Sequence, residues 1–252
     1  MGVVRRPWKP LRNMSYPERI VPDDEPAGIV ALHLKRYLFA RAYCGGRVVL
    51  DAACGVGYGS AELGRVAARV VGVDVGADAI SYARSRYGSE TVEFATMDVS
   101  ALQLEDASFD VVVSFETIEH LDDRDAFLDE VTRVLRPSGT FIVSTPQAPR
   151  TTERPENPFH RIEYSRDDFV QLLSEHFANV ELFGQRRLQT WRHRALQRLD
   201  VLGLRRRFAL LRRVAPLVGT APTDRVTLDG IVIAHEGIER ASELVAVCTV
   251  PR

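Results

Sequence analysis

The sequence predicts an α/β protein built on a doubly wound, mostly parallel sheet of seven strands, with a helical lid inserted before the last strand. Three observations predict it. Short β-branched or apolar runs recur at residues 48–51, 70–74, 92–95, 110–114, 140–144, 180–183 and 243–250. Helix-patterned stretches separate the early runs, and strand–helix alternation is the mark of parallel pairing. The first strand runs straight into the glycine-rich turn of "LDAACGVGYGS". In open sheets of this kind the ligand lies beyond the carboxyl ends of the strands.

The elements divide the chain into four parts. Residues 1–44 form an N-terminal cap, in which "HLKRYLFARAY" has an amphipathic helical pattern. Residues 45–183 form the core, with helices over "GSAELGRVAAR", "ADAISYARSRYG" and "DRDAFLDEVTRVLRPSG", the last stopped by Pro-Ser-Gly. A Pro-rich loop, "TPQAPRTTERPENPFHRIE", follows the fifth strand, and loops of that length are commonly functional. Residues 184–228 are arginine-dense, with leucines at helical spacing, and read as the lid. Residues 229–252 return the final strand to the core.

Composition narrows the class. The 252 residues suit one domain with an elaboration, and 45% hydrophobic with 27% charged residues is ordinary for a globular chain. No apolar run reaches the roughly 20 residues of a membrane span, and the N-terminus has no apolar stretch of signal-peptide length. A cytoplasmic location is therefore expected. Cys44, Cys54 and Cys248 are odd in number and show no C-x-x-C spacing, so reduced thiols are expected. A net charge of −1 gives no general attraction to polyanions. Of the 33 basic residues all but Lys9 and Lys35 are arginine.

The glycines are Gly55, Gly57 and Gly59, one residue short of the G-x-G-x-x-G fingerprint of dinucleotide binding. Asp51, four residues before the first of them, is poorly placed beside a pyrophosphate. It suits a ligand carrying an ammonium group and a positive sulfur, as S-adenosylmethionine does. Asp74 closes the second strand at the spacing where a carboxylate accepts hydrogen bonds from ribose hydroxyls. Asp98, at the third strand end, can take the adenine amino group, with Val75 and Met97 against the ring faces.

The set "LDAACGVGYGS", "VVGVD", "TMDVSAL" and "FDVVVSFETIEHL" resembles the class I S-adenosylmethionine-dependent methyltransferases, whose fold is Rossmann-like, over about residues 45–183 and the final strand. The resemblance implies S-adenosylmethionine as cofactor, held by Asp51, Gly55, Gly57, Tyr58, Asp74, Val75, Met97, Asp98, Val99 and Phe115. After the fourth strand, "SFETIEHL" places Glu116, Glu119 and His120 at helical spacing, and "NPFH" adds His160. This set resembles the metal-binding residues of small-RNA 3′-terminal 2′-O-methyltransferases, and its first part those of ubiquinone-biosynthesis O-methyltransferases. By that likeness Glu116, Glu119, His120 and His160 are the catalytic set and hold a divalent metal if one binds. The alternative is His120 as a metal-free general base, with Glu119 orienting the loop.

"SYPERIVPDDE", the helix after it and "NPFHRIEYSRDDF" resemble bacterial O-methyltransferases of sugar and glycan pathways, and imply that Tyr16, Arg19, His33 and Tyr37 close over the cofactor or acceptor. For His33 and Tyr37, packing against the sheet is the equal alternative. The expected acceptor is a small molecule carrying phosphate or carboxylate, such as a nucleotide-linked sugar or uronic acid, because guanidinium groups pair bidentately with such groups. RNA methylation along the arginines, with Trp191 as a stacking platform, is weakened by the pI near 6.6. Aminosugar N-methylation, an oligomerisation role for the insertion and a non-enzymatic cofactor-binding protein also stay open.

Overall fold

The computed structural model describes residues 19–188 and 226–252. Eight strands form one sheet in the order β3-β2-β1-β4-β5-β8-β6-β7. They are β1 (Val48–Ala52), β2 (Arg69–Asp74), β3 (Val92–Thr96), β4 (Phe109–Phe115), β5 (Leu135–Pro146), β6 (Phe177–Arg187), β7 (Ile231–Ala234) and β8 (Glu243–Pro251). The first five pair in parallel, whereas β8 runs antiparallel between β5 and β6. All seven expected strands form, in a mostly parallel α/β sheet.

The helices are α1 (Ala27–Cys44), α2 (Tyr58–Leu63), α3 (Ala77–Tyr87), α4 (Arg124–Val134) and α5 (Arg166–His176). Local chemistry sets their ends. Asp123 accepts a hydrogen bond from the Ala126 amide to start α4, and Ser165 accepts one from the Asp168 amide to start α5. Alternating strand residues point to opposite faces, so one sheet builds two cores. Leu50, Val71, Val112, Phe141 and Ala246 pack with Phe127, Val131, Phe169 and Leu173 of α4 and α5. Val49, Val70, Val111, Val113 and Val245 pack with Tyr37, Ala40, Leu63, Ile80 and Ala83 of α1, α2 and α3. The carboxyl ends of β1, β2, β4 and β5 thus emerge between two helical layers.

Four expectations change. The sheet has eight strands, not seven: "IVIA" forms β7, pairing antiparallel with Gly184–Arg187 at the sheet's edge. Those four β6 residues, expected in the lid, instead satisfy their backbone groups in that ladder. Residues 229–252 therefore contribute two strands. The helix expected over "GSAELGRVAAR" spans only Tyr58–Leu63, capped by Gly64. As expected, α4 ends ahead of Pro137-Ser138-Gly139, which lies within β5; that strand begins at Leu135, opposite Phe109, with a register shift before the regular ladder. The expected lid helices, Tyr16 and Trp191 lie outside the described residues. No helix among the described residues is long and apolar enough to cross a membrane, and all three cysteines are buried free thiols.

Candidate active site

The glycine turn leaves β1 with Ala53, Gly55 and Gly57 all at positive φ. Each glycine has its own reason. Gly55 combines φ +56 with open space on its Cβ side, where the nearest atom is Arg19 Cγ at 3.8 Å. At Gly57, φ +84 is joined by crowding, since a Cβ would come within 2.7 Å of Ala83 and Phe94. Gly59 is a packing glycine: its Cβ would lie 1.9 Å from the Tyr37 ring, so the third glycine lets α1 seat against α2. The bare backbone facing outward is at Gly55.

Asp51 sits under this turn and is fully buried. Its two oxygens accept hydrogen bonds from the Tyr37 hydroxyl at 3.3 Å and the Ser60 hydroxyl at 2.6 Å. Burial pushes its carboxyl up to about 7, with Asp74 adding to the rise against the two hydroxyl donors. The structure therefore places Asp51 as a buttress beneath the turn rather than as an open carboxylate. Tyr37 is its partner in that role, edge-on to Phe115 at 4.9 Å and to Tyr58 at 5.8 Å. For Tyr37 the packing reading holds.

Asp74 binds the turn to the second strand. One carboxylate oxygen accepts from the Gly55 amide at 2.9 Å, the other from the Gly76 amide at 2.8 Å and from Arg19 at 2.5 Å. Val75, 54% exposed, and the exposed Asp98 lie beside it at open strand ends, while Met97 is half-buried and Val99 buried. An outward glycine backbone, a carboxylate at the end of β2 and an exposed apolar side chain next to it fit an adenosyl ligand.

The cluster that follows β4 is built differently from the sequence expectation. Glu116 has φ +52 and precedes a single 3-10 turn over Ile118–His120, so no helix face aligns Glu116 with Glu119 and His120. Non-glycine residues held at positive φ are strained, and such positions concentrate at functional sites. Glu116 is held instead by the Ser144 hydroxyl at 2.6 Å, with Arg36 3.9 Å away. It stays outside the tight cluster, in which one ligand atom each of Glu119, His120 and His160 lies within 4.8 Å of the others.

Glu119 is fully buried. Thr145 donates to one carboxylate oxygen at 3.2 Å, and the other has no hydrogen-bond partner among the described residues. Desolvation, then the neighbouring Glu116, raises its pKa well above the usual carboxylate range. Its carbonyl accepts from the Arg161 and Ile162 amides, which ties the Pro-rich loop to the strand end. His120 Nδ1 faces the Phe159 carbonyl at 3.1 Å. A carbonyl only accepts, so Nδ1 is the ring nitrogen that donates to it. His160 lies edge-on to it with ring centres 4.9 Å apart. Glu163 fixes the His160 Nδ1 proton at 2.9 Å, and the Asn157 amide meets Nε2 at 2.9 Å. A divalent ion suits this set of one buried carboxylate and two imidazoles. To use His160 Nε2 it would displace Asn157.

Residues that sequence reasoning missed surround this cluster. Arg36 is 1% exposed, meets His33 Nδ1 at 2.9 Å and leaves Nε without a partner among the described residues. Burial, then Arg36, holds the His33 pKa well below its usual value. Gln185, fully buried, donates to Glu243 at 3.1 Å, and burial followed by Glu116 raises the Glu243 pKa. One signal for Arg36 is present in the sequence: it shares the i, i+4, i+8 stripe of α1 with buried Ala40 and Cys44.

The fold and this site fit an S-adenosylmethionine-dependent methyltransferase, and the chain is similar to such proteins over its core. Residues 50–143 match the family model described as "Methyltransferase domain". A probable S-adenosylmethionine-dependent methyltransferase of Mycolicibacterium smegmatis is 43% identical over 143 residues, covering 55% of this chain and 54% of that protein. A fatty-acid O-methyltransferase of the same organism is 33% identical over 174 residues, covering 64% of this chain and 61% of its own length. The chain thus spans less than two thirds of these curated relatives. A crystal structure from Thermotoga maritima, described as a possible histamine N-methyltransferase, shares the fold at a TM-score of 0.60 with 15% identity, over 89% of this chain and 93% of that one.

Proposed function

We propose that the chain methylates a hydroxyl of a small, polar, sugar-containing acceptor, using S-adenosylmethionine, with His120 as the base. The observation that carries this reading is the pinned His120 ring. Its Nδ1 proton is committed to the Phe159 carbonyl, so Nε2 is the nitrogen that can take a proton beside the buried Glu119. Bound S-adenosylmethionine supplies an electrophilic methyl on a sulfonium whose sulfur leaves neutral. The chain's own task is then to orient the acceptor oxygen and remove its proton. His120 Nε2 takes that proton, and the Glu119 and Glu116 carboxyls accept hydrogen bonds from neighbouring hydroxyls.

A divalent ion at Glu119, His120 and His160 is the alternative use of the same atoms, and would lower the pKa of the acceptor hydroxyl. Phosphate or carboxylate on the acceptor suits the arginine-rich segment, of which Arg186 and Arg187 lie at the end of β6. Three cysteines kept as buried free thiols fit a reaction in the reducing cytoplasm. A second reading, N-methylation of an aminosugar, draws support from the carboxyls of Glu116, Glu119 and Glu243 gathered around one buried arginine.

The test is S-adenosylhomocysteine release on a panel of nucleotide sugars, uronic acids and aminosugars, with and without EDTA. His120→Ala should lower turnover at least about a hundredfold, the size of general-base effects, with S-adenosylhomocysteine binding unchanged. Wild-type-like turnover in that variant would remove His120 from the mechanism. Activity lost in EDTA and restored by a divalent ion would assign the metal, and full activity in EDTA would exclude it.

A further inference from the structure

The carboxylate at the end of β2 is already occupied by the chain itself. Arg19 crosses the mouth of the glycine turn with 7% of its side chain exposed. Its guanidinium donates to Asp74 Oδ1 at 2.5 Å and stands 3.6 Å from Asp78 on α3. Its stem lies 3.8 Å from where a Gly55 Cβ would be, and its guanidinium nitrogens 2.6 and 2.8 Å from where a Gly76 Cβ would be. The side chain therefore lies over the backbone at Gly76 and in contact distance of the outward face of Gly55.

This occupancy uses up acceptor capacity. A carboxylate offers about four lone-pair directions. Asp74 spends two on the Gly55 and Gly76 amides, one per oxygen, and a third on Arg19. About one remains, on the oxygen that faces Gly55. A ribose diol gripped through both hydroxyls needs two, one from each carboxylate oxygen. Arg19 and a doubly bonded diol thus exclude each other at Oδ1, besides competing for the same volume.

We propose that Arg19 is an internal competitor for the cofactor's ribose subsite, paired with Asp74 until the adenosyl ligand displaces it. The inference rests on the assignment of Asp74 to the cofactor. Apparent affinity is then the intrinsic affinity reduced by the fraction of molecules in which Arg19 has left. Asp78 supports the closed arrangement without touching the diol's partner.

The experiment is isothermal titration of the full chain and three variants with S-adenosylhomocysteine, with a melting curve for each. Arg19→Met keeps the stem and removes the charge, and should bind on the order of tenfold more tightly, the factor expected when a dominant closed state is abolished. The same variant should melt lower, because it loses a buried ion pair. Asp78→Asn should shift affinity in the same direction by less, and Arg19→Lys should stay near wild type. A merely structural arginine would lower the melting temperature without raising affinity. Equal or weaker binding by Arg19→Met overturns the proposal and makes Arg19 a bystander or a clamp on the bound ligand. No binding by wild type and Arg19→Met alike overturns the cofactor assignment and the competitor with it.

Discussion

At the scale of single residues, the site works by committing the obvious hydrogen-bonding atoms to the protein and leaving a few uncommitted. Asp51 is the clearest case. Its carboxyl, raised to about 7 by burial, holds a proton in the folded chain over a range where an unfolded aspartate has lost it. The folded state then binds more protons between about pH 4 and pH 7, so this group's contribution to stability falls as pH rises through that window and levels off above it. Denaturant unfolding at pH 5 and pH 8 should show wild type losing more stability than Asp51→Asn, by up to about 1.4 kcal/mol per pH unit within the window. Equal pH slopes in the two proteins would mean Asp51 is ionised throughout. Asp74 is used differently, with both of its oxygens accepting hydrogen bonds at the edge of the turn. Asp74→Ala should weaken S-adenosylhomocysteine binding about ten- to a hundredfold, the worth of one hydrogen bond to a charged group, and titration calorimetry reads it directly.

At the scale of elements, α1 is as much a part of the site as the strand ends. It carries Tyr37 to Asp51, Arg36 to Glu116 and His33 to Arg36. The helix comes close enough because Gly59, on α2, has no side chain where the Tyr37 ring lies. Gly59→Ala should push the two helices apart and cost about 1–3 kcal/mol in urea unfolding, the usual range for overfilling a packed core. A loss under about 0.5 kcal/mol would show that the α1–α2 joint is loose. The α1 contacts were not legible in the sequence. Helical periodicity reports which face of a helix is buried, and it is silent on which element that face meets. The "ETIEH" run misleads for a related reason: i, i+3, i+4 spacing aligns side chains only if the backbone is helical. Here Glu116 turns left-handed at the strand end, held by Ser144 and facing Arg36.

At the scale of the whole molecule, the sheet is most secure in the middle and least at its edge strand β7. β4, β5 and β8 are flanked on both sides, whereas β7 pairs only with β6 among the described residues. Local opening draws on such edges first, so amides of Ile231–Ala234 should exchange at least about tenfold faster than those of Phe141–Val143. Uniform protection across both would mean β7 is covered by something beyond its ladder.

Sequence alone determined the alternation of strands and helices, the mostly parallel sheet, the glycine turn and the residues at the strand ends. Hydrophobic periodicity and glycine placement are local properties, read within a window of a dozen residues. Tertiary structure decided which of those residues meet. It put Asp51 beneath the turn between Tyr37 and Ser60, left Glu116 out of the cluster of Glu119, His120 and His160, set buried Arg36 beside Glu116 and joined Gln185 to Glu243. It also laid Arg19 on Asp74, 55 residues away in the chain. Contacts of that separation arise from how two helical layers close over one sheet, and no short stretch of sequence encodes that closure.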